Sequence, residues 1–316
     1  MKVLITTKIF ENSFDLLKNE GLEIIVPEED FSKAELIDKI SDCDFLLSTF
    51  KIPIDKEIIE AGKKLQMISN YGVGFNNVDI EYAKSKEIVV TNTPYTVTEP
   101  TAELAFGLLH VLGRKIKELD NDIRVPNKLQ WGLLDNLSSS LFNKTLGIIG
   151  FGRIGQAVAR RAVASNMKVI YYSRHQVNEY IENLYSVRYV PFDQLLETAD
   201  YISLHVPLTE KTRHMIGAKE LKKMKSTAYL VNTSRGPVIN EQELAEALRD
   251  NVIAGAALDV FENEPKINDL LLTLDNAILL PHVGTATYET REETAVAACE
   301  NIIKFMKNDK TLTRVN

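Results

Sequence analysis

The sequence predicts an α/β protein made of two doubly wound parallel-sheet domains, and three observations predict it. Short apolar runs alternate with longer amphipathic stretches, the pattern of parallel strands joined by crossover helices. The runs fall into two series with one long helical pattern between them. With 316 residues, 45% of them apolar and 26% charged, the chain can bury one large or two ordinary cores.

Taken in order, the first series has strands at VLIT, EIIV, DFLLS, QMISN and IVVTN, with helix patterns such as SFDLLKNEG and SKAELIDKI between them, and it ends near Asn92. TAELAFGLLHVLGRKIKELDNDI follows. It reads as one long helix reaching Ile123, free of internal proline and opened by Thr98 and Thr101 as caps. The second series is TLGIIG, KVIYYS, YISLH, AYLVN, IAGAAL and AILL. A last helix, Glu289 to Asn308, is expected to return to the first domain, with NTPYTVTEP and GTATYET as linkers. The expected division is 1–98 plus 288–316 against 99–287. No short-period repeat and no low-complexity tract interrupts it.

A formal charge of -7 and a pI near 5.4 argue against nucleic acid or an anionic membrane surface as partner, and for a small-molecule ligand. Cys43 and Cys299 stand far apart with no CxxC spacing, so no disulfide framework and no metal site is expected. MKVLITTKIFENSF enters a strand without an apolar targeting run, and no later segment is apolar enough to span a bilayer. The expected location is the cytoplasm.

In open parallel sheets ligands bind at the carboxyl ends of the strands, so the residues that follow each strand carry the chemistry. After TLGII comes Gly150-Phe151-Gly152-Arg153-Ile154-Gly155, opening the helix QAVARRAVA. Glycines permit a tight turn and the close approach of a pyrophosphate, and the helix N-terminus offers amide donors. A bare GxGxxG also suits an ordinary glycine turn; its place between a strand and a helix favours a dinucleotide site. YISLH is followed by VPLTEKTRHMI, AYLVN by Thr233-Ser234-Arg235-Gly236-Pro237, IAGAAL by Asp259-Val260-Phe261-Glu262-Asn263-Glu264-Pro265, and AILL by Pro281-His282-Val283-Gly284. Singly, Arg235 suits a surface cation, Glu264 a loop acid and His282 a satisfied strand-end histidine. Together they meet the needs of a 2-oxo acid reductase: a cation for a carboxylate, an acid poised near neutrality for the developing alkoxide, and a carboxylate to orient that acid.

NYGVGFNNVD, NTPYTVTEPTAELAFGLL, KTLGIIGFGRIGQ, HVPLTEKT, LVNTSRGPVIN, ALDVFENEP and LPHVGTAT make the sequence resemble the D-isomer-specific 2-hydroxyacid dehydrogenases over nearly its whole length. The glyoxylate and hydroxypyruvate reductase branch is the nearest pattern. The resemblance implies a homodimer of two-domain subunits, with the nicotinamide in a cleft between a flavodoxin-like substrate domain and a Rossmann-like cofactor domain. It implies that Arg235 binds the substrate carboxylate and polarises its carbonyl, that His282 is general acid in reduction and base in oxidation, and that Glu264 partners His282. It places the backbone of Val73 and Gly74 at the substrate carboxylate and Asp259 at the nicotinamide amide. Thr101, Val206, Pro207, Thr212 and Thr233 join the cofactor contacts by the same likeness, and Tyr95 and Trp131 lie near the cleft. The stretch LQWGLLDNLSSSLFNKT departs from the family by lacking a proline and glycine after Trp131. The long form of phosphoglycerate dehydrogenase, with its regulatory domain after the position of Asn316, is not the expected relative. His110, His175 and His214 receive no role. Some family relatives act as nucleotide-sensing corepressors, and turnover of 2-oxo acids separates an enzyme from such a sensor.

KVIYYSRH raises the question of cofactor choice. An acid about 20 residues after the glycine motif accepts hydrogen bonds from the ribose hydroxyls of NAD and repels a 2′-phosphate. Here that place is held by Ser173, eighteen residues after Gly155, followed by Arg174 and His175. A hydroxyl and a guanidinium suit a phosphate dianion, so NADP is the expected preference and NAD the possible alternative. The bland reading is that Arg174 stacks over the adenine without selecting.

Overall fold

Strands buried on both faces set the architecture of the computed structural model, which describes residues 1–316. The first sheet has five parallel strands, β1 Lys2–Ile5, β2 Glu23–Ile25, β3 Phe45–Ser48, β4 Met67–Asn70 and β5 Val89–Thr91, in the order β2-β1-β3-β4-β5. Successive side chains point to opposite faces. Leu4, Leu46, Ile68 and Val90 therefore enter one core, while Val3, Ile5, Phe45, Leu47 and Met67 enter another. The second core is closed by the C-terminal helix Tyr288–Met306, through Ala295, Ala298, Cys299 and Ile302. Thr287 caps that helix by accepting from the Thr290 amide, and Ser69 donates to the Ala298 carbonyl at 2.8 Å.

The second sheet has seven parallel strands: β6 Thr145–Ile149, β7 Lys168–Tyr172, β8 Val187–Tyr189, β9 Tyr201–Leu204, β10 Tyr229–Asn232, β11 Gly255–Leu258 and β12 Ala277–Leu279. Their order is β12-β11-β10-β9-β6-β7-β8, so connections leave β6 towards both sides of the sheet. This reversal opens a crevice at the carboxyl edge between β6 and β9. By contacts the chain forms two units, Met1–Val97 with Thr285–Asn316, and Thr98–Gly284.

Two elements differ from the sequence expectation. The long helical pattern is two helices, Thr98–Gly113 and Ile116–Ile123, broken where Lys115 turns left-handed at φ 51°. The break follows from packing. A side chain at Gly113 would meet the Tyr201 hydroxyl at 2.3 Å, so this end of the helix seats directly on β9, and the chain turns away after it. Thr98 is the first helical residue and Thr101 is buried inside the helix, so Thr101 is no cap. β8 was not expected, because its three residues, VRY, carry too short a pattern to stand out. No helix is long and apolar enough to cross a membrane.

Candidate active site

The glycine turn ends β6. Gly150 has φ +97°, and a Cβ there would come within 2.5 Å of the His205 carbonyl, so only glycine fits. A Cβ at Gly155 would lie 2.3 Å from the Gly150 carbonyl; its absence lets the helix Arg153–Ala164 close onto the strand. At Gly152, the residue before that helix, a Cβ would meet nothing within 4 Å, and no acid stands in the first helical turn. The helix therefore begins with room in front of it and no acid to oppose its positive potential, which suits a pyrophosphate. Arg153 is exposed and Ile154 half-buried at this entrance.

The Gly150 amide donates to the Tyr172 carbonyl at 2.8 Å, which ties the end of β7 to the turn. Ser173 comes next and is half-buried; Arg174 and His175 are exposed, and Arg174 makes no ion pair. From β9, Val206 packs beside Gly150, and Pro207 accepts from the Thr212 hydroxyl at 2.6 Å. Thr212 also accepts from the Thr209 amide, so it locks this turn. Thr233 is buried, with its hydroxyl lacking any partner in the chain.

Arg235, Glu264 and His282 come from the loops after β10, β11 and β12, and the fold brings them together. His282 Nδ1 lies 2.8 Å from Glu264 Oε2, while Glu264 Oε1 accepts from the Phe261 amide at 3.0 Å. Burial pushes the Glu264 carboxyl up, but the His282 bond and charge, the Phe261 amide and the Arg235 charge outweigh it and hold the group below its ordinary range. Burial lowers the Arg235 guanidinium, and Glu264 opposes that shift. A guanidinium stays charged through such a change. Arg235 Nη1 donates to the Ser234 carbonyl at 2.7 Å.

His282 occupies the left-handed region at φ 55°, and Asp259 holds the turn there. Its two carboxylate oxygens accept from the Val283 amide at 2.7 Å and the Gly284 amide at 2.8 Å. Burial raises the Asp259 carboxyl against the pull of those amides. Thr101 lies beside the same turn: a Cβ on Gly284 would sit 3.7 Å from its hydroxyl. Asp259 thus has a structural task, anchoring the histidine loop, that its sequence context did not reveal.

In the other unit, Asn92 donates to the Val73 carbonyl at 2.9 Å and Asn70 to the Gly74 carbonyl at 2.8 Å. With both carbonyls held, the Val73 and Gly74 amides donate to no acceptor in the chain. Tyr95 is 67% and Trp131 89% exposed.

The remaining histidines separate clearly. His110 packs edge-on against Phe106, and His214 pairs with Glu262. His205, the residue that follows β9, drew no attention in the sequence. Its Nε2 lies 2.8 Å from Ser203 Oγ, its Nδ1 is sealed without a partner, and burial depresses its pKa to about 3. No group of three or more His, Cys, Asp or Glu is placed to hold a metal ion.

Residues 106–284 match the NAD-binding domain of the D-isomer specific 2-hydroxyacid dehydrogenases. Over 320 residues the chain is 45% identical to the glyoxylate reductase of Thermococcus litoralis, covering 100% of this chain and 96% of that one. Among solved structures, the TT0316 protein from Thermus thermophilus superposes with a TM-score of 0.93 at 36% identity, with both chains fully covered. The NADPH-dependent glyoxylate/hydroxypyruvate reductase of Sinorhizobium meliloti, solved with NADP and malonate, gives 0.86 at 31% identity over 99% of this chain and 96% of that one.

Proposed function

Because this chain belongs to the D-isomer-specific 2-hydroxyacid dehydrogenase family of NAD(P)-dependent oxidoreductases, we propose that it is an NADPH-preferring reductase of short 2-oxo acids, glyoxylate and hydroxypyruvate foremost, giving D-2-hydroxy acids. In this reading unit Thr98–Gly284 is the dinucleotide-binding domain and the other unit the substrate domain. The single observation that carries the chemistry is the bond of 2.8 Å between Glu264 and His282, with the charge of Arg235 felt at the same carboxylate.

The reduced nicotinamide, when bound, supplies the hydride to the carbonyl carbon. Gly152 and the helix behind it receive the pyrophosphate, with Arg153, Ile154, Val206, Pro207, Thr212, Thr233 and Thr101 as further cofactor contacts. Ser173 and Arg174 take the 2′-phosphate. Arg235 grips the substrate carboxylate through two parallel N–H bonds and draws density from the adjacent carbonyl. The Val73 and Gly74 amides are read, by the family likeness, as donors to the substrate carboxylate. Glu264 commits His282 through Nδ1, so the proton that reaches the carbonyl oxygen leaves from Nε2. Asp259 keeps the His282 turn in place and leaves a lone pair on each oxygen for the nicotinamide amide.

The test is oxidation of NADPH and NADH with a panel of 2-oxo acids. Specificity constants for glyoxylate and hydroxypyruvate above those for branched or aromatic oxo acids support the proposal, and a preference for phenylpyruvate would sink the assigned substrate class. We also read the chain as a homodimer. The reading is supported by Leu133, Trp131 and Leu134, which are 99%, 89% and 84% exposed on a stretch without helix or strand, apolar side chains that a partner would cover. Sedimentation should give twice the chain mass, and Leu133→Asp with Leu134→Asp should halve it; a monomeric wild type would exclude the dimer.

A further inference from the structure

The smaller sheet carries a cavity that the chemistry above does not use. In its order β2-β1-β3-β4-β5, β1 lies against β3, where the connections reverse direction and the sheet opens a crevice outside the carboxyl ends of its strands. A cavity of about 570 Å³ sits there, within the span of small-molecule sites. It is lined by the residues that follow β1 and β3, by Tyr71 after β4, and by Arg291 in the first turn of the C-terminal helix.

Two chemistries meet in the lining. Ile9, Phe10, Phe50 and the Tyr71 ring make an apolar wall, and Phe10 and Phe50 are 37% and 47% exposed. Large aromatic side chains that keep part of their surface exposed on a concave wall gain from further burial. Against them stand three cations, Lys8, Lys51 and Arg291, and a single acid, Glu11. Lys51 is neutralised by Asp30 at 2.6 Å, whereas Lys8 and Arg291 make no ion pair. Arg291 is half-buried, and its helix turn is fixed by the Tyr71 hydroxyl, which donates to the Arg291 carbonyl at 2.6 Å. A partly desolvated guanidinium without a carboxylate is an uncompensated charge, and an anionic ligand supplies the compensation. The Thr7, Lys8 and Ile9 amides, at the mouth of β1, also donate to no acceptor in the chain.

We propose that this cavity binds a small carboxylate with an apolar body, its charge on Arg291 and Lys8 and its hydrocarbon against Phe10 and Phe50. Such a ligand has two sources, the distal part of a larger substrate or a separate effector. The proposal stands on the smaller unit alone, independent of the residues assigned to catalysis.

The probe is 3-phenylpropionate, which has no 2-oxo group, titrated calorimetrically into the full chain without nucleotide. Saturable binding is expected, weakened about tenfold or more by Arg291→Gln, the worth of one charge-assisted contact, weakened also by Phe50→Ala, and retained in Arg235→Gln. In glyoxylate turnover, competitive inhibition by the probe marks the distal-substrate source, and non-competitive inhibition or activation marks the effector. No saturable binding, or binding that Arg235→Gln abolishes while Arg291→Gln and Phe50→Ala leave it intact, overturns the proposal. Such a failure leaves reductase turnover, measured separately, untouched.

Discussion

Replacing Glu264 by glutamine removes one negative charge while keeping the shape and hydrogen-bonding reach of the side chain. In the wild type that charge faces His282 Nδ1 at 2.8 Å, with the two side chains 34% and 30% exposed. Solvent therefore screens the pair in part, and the full Coulomb energy of a buried pair does not apply. Exchanging a charge-assisted hydrogen bond for a neutral one costs about 1 kcal/mol. Lost from the transition state, that amount lowers kcat/KM about fivefold. The assay is kcat/KM for glyoxylate reduction at saturating NADPH. Glu264→Gln should fall below the wild type by about that factor; a value indistinguishable from the wild type refutes the pairing as a working part of the site.

Three further outcomes are expected. Arg235→Lys should lose most of its kcat/KM, by about tenfold or more, because an ammonium cannot reproduce the planar two-point contact; steady-state kinetics showing near wild-type values would exclude the carboxylate role. Ser173→Asp with Arg174→Ile should reverse the ratio of specificity constants for NADPH and NADH while leaving turnover largely intact, and an unchanged ratio at near-physiological salt would show that Arg174 does not read the cofactor. Between pH 6.5 and about 3 the unfolded chain binds a proton on His205 that the folded chain does not, so stability should fall as pH falls, by at most about 1.4 kcal/mol per unit for this group. The residue as a whole is half-buried, so the full slope is an upper limit. Denaturant midpoints at pH 7 and pH 5 should converge in His205→Gln relative to the wild type, and an identical pH dependence would remove the group from the acid response.

The parts of the fold readable from sequence are those whose residues answer to local physics. Doubly buried strands such as TLGII and AYLVN are continuous apolar runs, and Gly150 and Gly155 mark backbone that no other residue fits. What escaped is set by tertiary contact. The break at Lys115 follows from the seating of Gly113 on Tyr201, a contact 88 residues away in the chain that helical periodicity cannot register. β8 exists by pairing with β7 rather than by its own pattern. The meeting of His282 and Glu264 was legible as chemistry, because both follow neighbouring strands of a parallel sheet. The way Asp259 pins the His282 turn was not, since an aspartate at a strand end announces no particular amide as its partner. The cavity beside Arg291 has the same origin: its walls come from four separate segments, none with a motif of its own.

The most direct test of the account is the stereochemistry and stoichiometry of hydroxypyruvate reduction by the wild type with NADPH, read by chiral chromatography of the product alongside the absorbance of the nucleotide. D-glycerate should form mole for mole with NADPH oxidised, and both signals should be lost in His282→Asn. L-glycerate as product, or tight nucleotide binding without oxidation in the presence of any 2-oxo acid, would contradict it.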